Sequence, residues 1–152
     1  MVDRSRARVS LAPHRVKHVT VPIETEPVPM GMHGAVAEHY RIPADQLEPH
    51  ATTLDYIVGA TAGCLSGTLG GRLAALGQPT DDEHFRVEAE GDIVNDDGVL
   101  RLAAIRVAYR IKRVETVPES RITRAHETHQ RFCPVARSIG SSIDISTRIE
   151  YL

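Results

Sequence analysis

Tryptophan is absent from this chain of 152 residues, and phenylalanine and cysteine each occur only twice. Each scarcity excludes something. Tyr40, Tyr56, Phe85 and Phe132 are scattered, so no aromatic platform exists on which bases could stack. Charge does not call for nucleic acid either: 18 Lys+Arg against 20 Asp+Glu leave a net charge of -2 and a pI near 6.4. Two thiols are too few for a stapled secreted scaffold, and in a cytosolic chain they are reactive or simply buried. The longest uncharged run, residues 56–71, is 16 residues, short of the roughly 20 a bilayer needs. The first eighteen residues carry Arg4, Arg6, Arg8, Arg15 and Lys17 against Asp3, with no apolar stretch. They read as a solvated basic arm rather than a signal peptide. The expectation is a cytoplasmic protein with no nucleic-acid or membrane partner.

What is present is ordinary globular usage, 41% hydrophobic and 25% charged, in one domain over residues 1–152 that is long enough to bury a core. "RVSLAP" and "KHVTVPIE" read as strands punctuated by proline. After the turn-like "PMGMHG", "GAVAEHYRI" reads as a further strand, and residues 43–50 as a loop. At Thr52 and Thr53 the pattern changes. Leu54, Ile57, Val58, Leu65, Leu69, Leu73 and Leu76 recur at helical spacing, with Asp55 in the first turn, and Gly77 and Pro79 close the segment. Inside it Gly59, Gly63, Gly67 and Gly71 stand four residues apart. Each costs a helix about 1 kcal/mol against alanine, so tertiary contact must hold it, as a buried central helix whose glycine stripe admits another backbone. "HFRVEAEGDIV" and "VLRLAAIRVAYRIKRV" follow as strands joined through "NDDG", a hairpin turn signal. In the second, Leu102, Ile105, Val107, Tyr109 and Ile111 mark a half-buried strand. "VPESRITRAHETHQRF" reads as a surface helix and "SSIDISTRIEYL" as a last strand. The order is that of an α+β fold.

The two thiols stand in contrasting places. Cys133 precedes Pro134, and proline favours the first helical position. Cys133 is therefore an expected N-cap whose thiol pKa the helix amides lower, with Arg131 and Arg137 able to help. A small buried hydrophobe is the other reading. Cys64 lies in the glycine-laced helix, where simple burial is the first expectation.

Together, "LDYIVGATAGCLSGTL", "CPVARSI" sixty-nine residues on, and the final "IDISTRIEYL" resemble the OsmC/Ohr family of osmotically inducible and organic hydroperoxide resistance proteins. The resemblance covers about residues 34–152, with residues 1–33 a variable N-terminal part. It implies an intertwined homodimer of curved antiparallel sheets around long central helices. It also implies a thiol peroxidase. Cys64 would attack the peroxide and become a sulfenic acid, and Cys133 would resolve it to a disulfide. A dithiol such as dihydrolipoamide would reduce that disulfide, with no bound cofactor or metal. The family's thiolate-stabilising arginine matches Arg41 of "HYRIPADQ". The glutamate that holds this arginine falls at Leu54, with Asp55 the acid beside it. Asp55 is nine residues before Cys64, about 13 Å along a regular helix and half a turn away. It would act beside the other subunit's helix or as a partner of the helix dipole. The resemblance thus points to a divergent branch.

Two alternatives stay open. One is a non-catalytic dimer of the same fold that binds a small apolar ligand, which Leu54 favours. The other is a zinc site of His126, His129, Cys133 and Cys64, although two histidines three apart on a polar helix are ordinarily solvated. "GCLSG" does not match a nucleophile elbow, and "GTLGG" falls inside a helix rather than after a strand, unlike a phosphate loop. The acids Asp81, Asp82, Glu83, Asp92, Asp96 and Asp97 read as solvated surface, and Phe132 and Tyr56 as core or pocket wall.

Overall fold

The computed structural model describes all residues, 1–152. The chain forms two compact units, Met1–Tyr56 and Ile57–Leu152.

In the first unit, β1 (Arg8–Leu11), β2 (Lys17–Thr20) and β3 (Val28–Met30) make an antiparallel meander. Its register pairs Arg8 with Thr20 and Lys17 with Met30. The two strands expected here are present, and β3 reaches into the segment read as a turn. The segment read as a third strand is instead a short helix, α1 (Gly34–His39). Ala35 and Ala37 are the best helix formers, and Val36 is the only β-branched residue of the six; a short apolar alternation cannot outweigh that. The helix stops where the Arg41 N–H bonds the Glu38 carbonyl at 2.9 Å, with Arg41 in the left-handed region at φ 53. Residues 43–50 hold one 3-10 turn, Ala44–Gln46. Gly31 is glycine for a reason of space: a Cβ there would lie 3.0 Å from that of His50.

The long helix α2 (Thr53–Ala75) begins in the first unit and continues in the second. In the second unit β4 (Phe85–Asp96) and β5 (Val99–Ile111) form the expected hairpin. Its turn has Asp97 at φ 49 and Gly98 at φ 87, a left-handed pair that Asp-Gly adopts readily. The Gly98 N–H donates to Asn95 Oδ1 at 2.7 Å. After β5 come α3 (Glu119–His129), a 3-10 turn over Gln130–Phe132, α4 (Pro134–Ile139) and β6 (Asp144–Tyr151). β6 pairs with β5 in parallel, Ile105 beside Ile145 and Tyr109 beside Ile149. The sheet is therefore mixed rather than wholly antiparallel, because a helical crossover returns the chain in the same direction. The fold is α+β, as expected.

The core of this unit is made by the residues whose periodicity marked them. Leu102, Ile105, Val107, Tyr109 and Ile111 of β5 are buried, as are Leu65, Leu69 and Leu73 of α2 and Ile122 of α3. The helix lies close on the sheet: a Cβ on Gly91 of β4 would come within 2.5 Å of the Val58 side chain and 2.8 Å of Leu102. The glycine stripe does not share this burial. A Cβ on Gly59, Gly63, Gly67 or Gly71 would meet nothing within 4 Å, so α2 is buried along its leucine face only. The acids read as solvated surface are largely paired. Asp92 takes two bonds from Arg106, and Asp96 and Glu83 pair with Arg101 and Lys112.

Candidate functional site

Proline at the first position of α4 leaves the preceding residue extended, and Cys133 caps the helix: its Sγ accepts from the Ala136 N–H at 3.4 Å. That cap holds the sulfur at the inner end of α4, fully buried. Cys64 comes from the middle of α2, half-buried, and both cysteines are free. The two Sγ atoms are 3.0 Å apart, with the Cys133 thiol donating to the Cys64 sulfur. Two positions sixty-nine residues apart in sequence thus meet in space. A disulfide needs about 2.05 Å between sulfurs, so roughly 1 Å of approach separates this pair from a bond.

The helix mouth does not activate Cys133 as its position suggested. Burial pushes the thiol pKa up, and the hydrogen bond to Cys64 pushes the same way. The Ala136 and Val135 amides pull it down but are outweighed, since α4 is only six residues long and the sulfur is shut away from water. Cys133 therefore keeps its proton and presents it to Cys64. Arg131 lies over the Phe132 ring, 4.8 Å from its centroid, and Arg72 lies over the same ring at 4.6 Å. Phe132 is 55% exposed and Tyr56 37% exposed; neither is a core residue, and Phe132 is a stacking surface for two guanidinium groups.

Behind Cys133 is a polar pair that motif reasoning missed. Tyr109 and His129 are both fully buried, with Tyr109 Oη 2.7 Å from His129 Nε2. The His129 Nδ1 lies 2.5 Å from the His126 carbonyl oxygen, which can only accept. Nδ1 therefore carries the hydrogen and Nε2 accepts from the tyrosine. Burial lowers the His129 pKa and keeps it neutral; burial also raises that of Tyr109, with the Cys133 charge adding to the rise. The sequence held a signal: His129 stands seven residues after Ile122, on the same apolar face of α3. His126 Nε2 is 2.9 Å from Thr147 Oγ1. Both ring nitrogens of His129 and the Nε2 of His126 are thus engaged by Tyr109, Thr147 and backbone, and no group of three or more His, Cys, Asp or Glu side chains is arranged to hold a metal ion.

Asp55 closes a reciprocal cap at the head of α2. Its carboxylate accepts from the Thr52 N–H at 2.6 Å and the Thr52 hydroxyl at 2.7 Å, while its own N–H donates to Thr52 Oγ1 at 3.1 Å. His33 Nε2 adds a contact at 2.9 Å. Burial, the largest single influence, raises the Asp55 pKa, but the bonds from Thr52 and His33 together bring it below the ordinary value. Of the two roles open to Asp55, the one seen within the chain is that of a carboxylate at the helix head. Arg41 sits in the first unit as an exposed residue of the turn after α1.

The family described as OsmC-like protein matches residues 45–148, and the chain belongs to it. Solved structures agree on the fold. An OsmC-like protein of unknown function from Vibrio cholerae superposes with a TM-score of 0.78 at 12% identity, covering 98% of this chain and 100% of that one. The OsmC-like protein of Mycoplasma pneumoniae gives 0.75 at 13% identity, covering 100% and 99%. The organic hydroperoxide resistance protein OhrB of Bacillus subtilis gives 0.68 at 10% identity, covering 99% and 100%. No curated protein matches the chain. No helix is long and apolar enough to cross a membrane.

Proposed function

We propose that the protein reduces organic hydroperoxides through Cys64 and Cys133. The observation that carries this reading is the 3.0 Å approach of the two sulfurs, with the hydrogen bond directed at Cys64. The half-buried Cys64 is open to a substrate, while Cys133 is sealed behind it. In the scheme, the Cys64 thiolate attacks the outer peroxide oxygen, the O–O bond breaks, and the leaving alkoxide takes up a proton to give the alcohol. Cys64 is then a sulfenic acid. The Cys133 sulfur attacks it, its thiol proton leaves with the hydroxide as water, and the S–S bond forms. An external dithiol such as dihydrolipoamide returns the pair to two thiols by exchange. Arg41 is assigned the cation that stabilises the thiolate, and Asp55 the carboxylate that orders the start of the helix carrying Cys64. The working unit is a homodimer in the cytoplasm.

Cys133→Ser tests the division of labour. Cys64 should then stop at the sulfenic acid, and dimedone should label it on peroxide treatment. Dimedone labelling that is absent from Cys133→Ser, with Cys64 still a free thiol, would overturn the scheme and favour the ligand-binding reading that Leu54 suggests.

A further inference from the structure

The second unit holds its arginines in several ways; Arg86 donates to the Asp82 carbonyl, and Arg113 to those of Val114 and Val117. On the sheet, Arg101, Arg106, Arg110 and Arg148 each pair with a carboxylate. Where the end of α2 faces the first turns of α3, Arg72, Arg121 and Arg124 line one groove of about 630 Å³, and none of the three pairs with a carboxylate of its own unit. Ser120 adds a hydroxyl, and Ala75 and Leu76 make one wall apolar. Three like charges brought together raise one another's energy unless an anion is shared among them. Glu119 and Glu127 line the adjoining groove, which shares Ser120 and Arg124 with this one, yet neither forms an ion pair with any of the three arginines. Arg72 is the most constrained of the three: Nη1 donates to Thr128 Oγ1 at 2.5 Å, and its guanidinium covers Phe132. Arg121 and Arg124 are exposed and free to turn inward.

We infer that the groove between the end of α2 and the start of α3 binds an oxyanion, a phosphate or carboxylate group, on an apolar stem. The planar forks of Arg121 and Arg124 suit two oxygens of such a group. Arg72 supplies a third fixed charge, and Ala75 and Leu76 receive the stem. The site is separate from the sulfur pair and does not depend on the peroxidase reading. It adjoins that pair through Arg72, which rests on Phe132, the residue before Cys133.

The test uses the full chain, with inorganic phosphate and octanoate as separate probes, titrated by calorimetry at constant ionic strength. Both should bind with one site per chain. Octanoate binding tighter than acetate would show that the apolar wall contributes; equal affinities would overturn the stem. In R121Q/R124Q, which leaves Arg72 and its contacts in place, affinity should fall about tenfold or more for each charged bond lost. Thermal unfolding of that variant without ligand should match the parent, which separates lost binding from lost folding. Unchanged affinity in the double variant, or no binding by the parent, would overturn the site.

Discussion

Along α2, Thr61, Leu65, Leu69 and Leu73 succeed one another at four-residue steps and are fully buried. Gly59, Gly63, Gly67 and Gly71 do so at the same step and face open space. The two rows have the same periodicity and opposite fates within one chain. The leucine row is buried within its own chain and stabilises through apolar burial, at roughly 25 cal/mol for each Å² removed from water. The glycine row buries no side chain and costs the helix about 1 kcal/mol at each position. In the proposed homodimer a second copy would cover this row and offset that cost. Cys64 stands at the seam between the rows, so that it contacts Cys133 from its own unit while remaining half-open.

The comparison is broken most completely by filling the open row. At Gly63 and Gly67 an added Cβ meets nothing within 4 Å, so with Gly63→Leu and Gly67→Leu together the folded chain should persist with its helix improved. If a second copy covers the row, as the proposed homodimer requires, the variant should sediment as a monomer. A dimer that survives the double substitution would place the interface elsewhere. On the closed row, Leu69→Ala removes a fully buried side chain and should cost about 2–5 kcal/mol in denaturant unfolding. Tyr109→Phe keeps the packing but leaves His129 Nε2 without its donor, at about 1–3 kcal/mol.

The smallest effect lies at the head of the helix. The folded Asp55 pKa is below its ordinary 3.8, so the folded state binds fewer protons than the unfolded state as the pH falls through this range. Its stabilising share is complete above 3.8 and is lost as the pH drops through the lower folded value. Asp55→Asn should therefore flatten stability against pH in that acid window and leave the slope near neutrality unchanged.

Legibility followed the length of each pattern. The strands β4 and β5, the turn at Asn95–Gly98 and the helix from Thr53 were readable because many residues repeat one period. Cys133 as an N-cap was readable because Pro134 fixes what precedes it. The helix at Gly34–His39 was not, since six residues are too few for a period to declare itself. Nor was the parallel return of β6 visible in an alternation that looks the same in either direction. The thiol pKa went the opposite way to its local signal because burial and a second sulfur are tertiary facts. The His129–Tyr109 bond joins two elements, and sequence spacing holds no record of it.

The most direct measurement is intact mass with thiol titration on the reduced protein, before and after a single equivalent of cumene hydroperoxide. The account predicts that both thiols disappear, that the mass falls by two hydrogens, and that dihydrolipoamide restores both. Two thiols that survive the peroxide with the mass unchanged would contradict it, and the 3.0 Å approach of Cys64 and Cys133 would then be packing rather than chemistry.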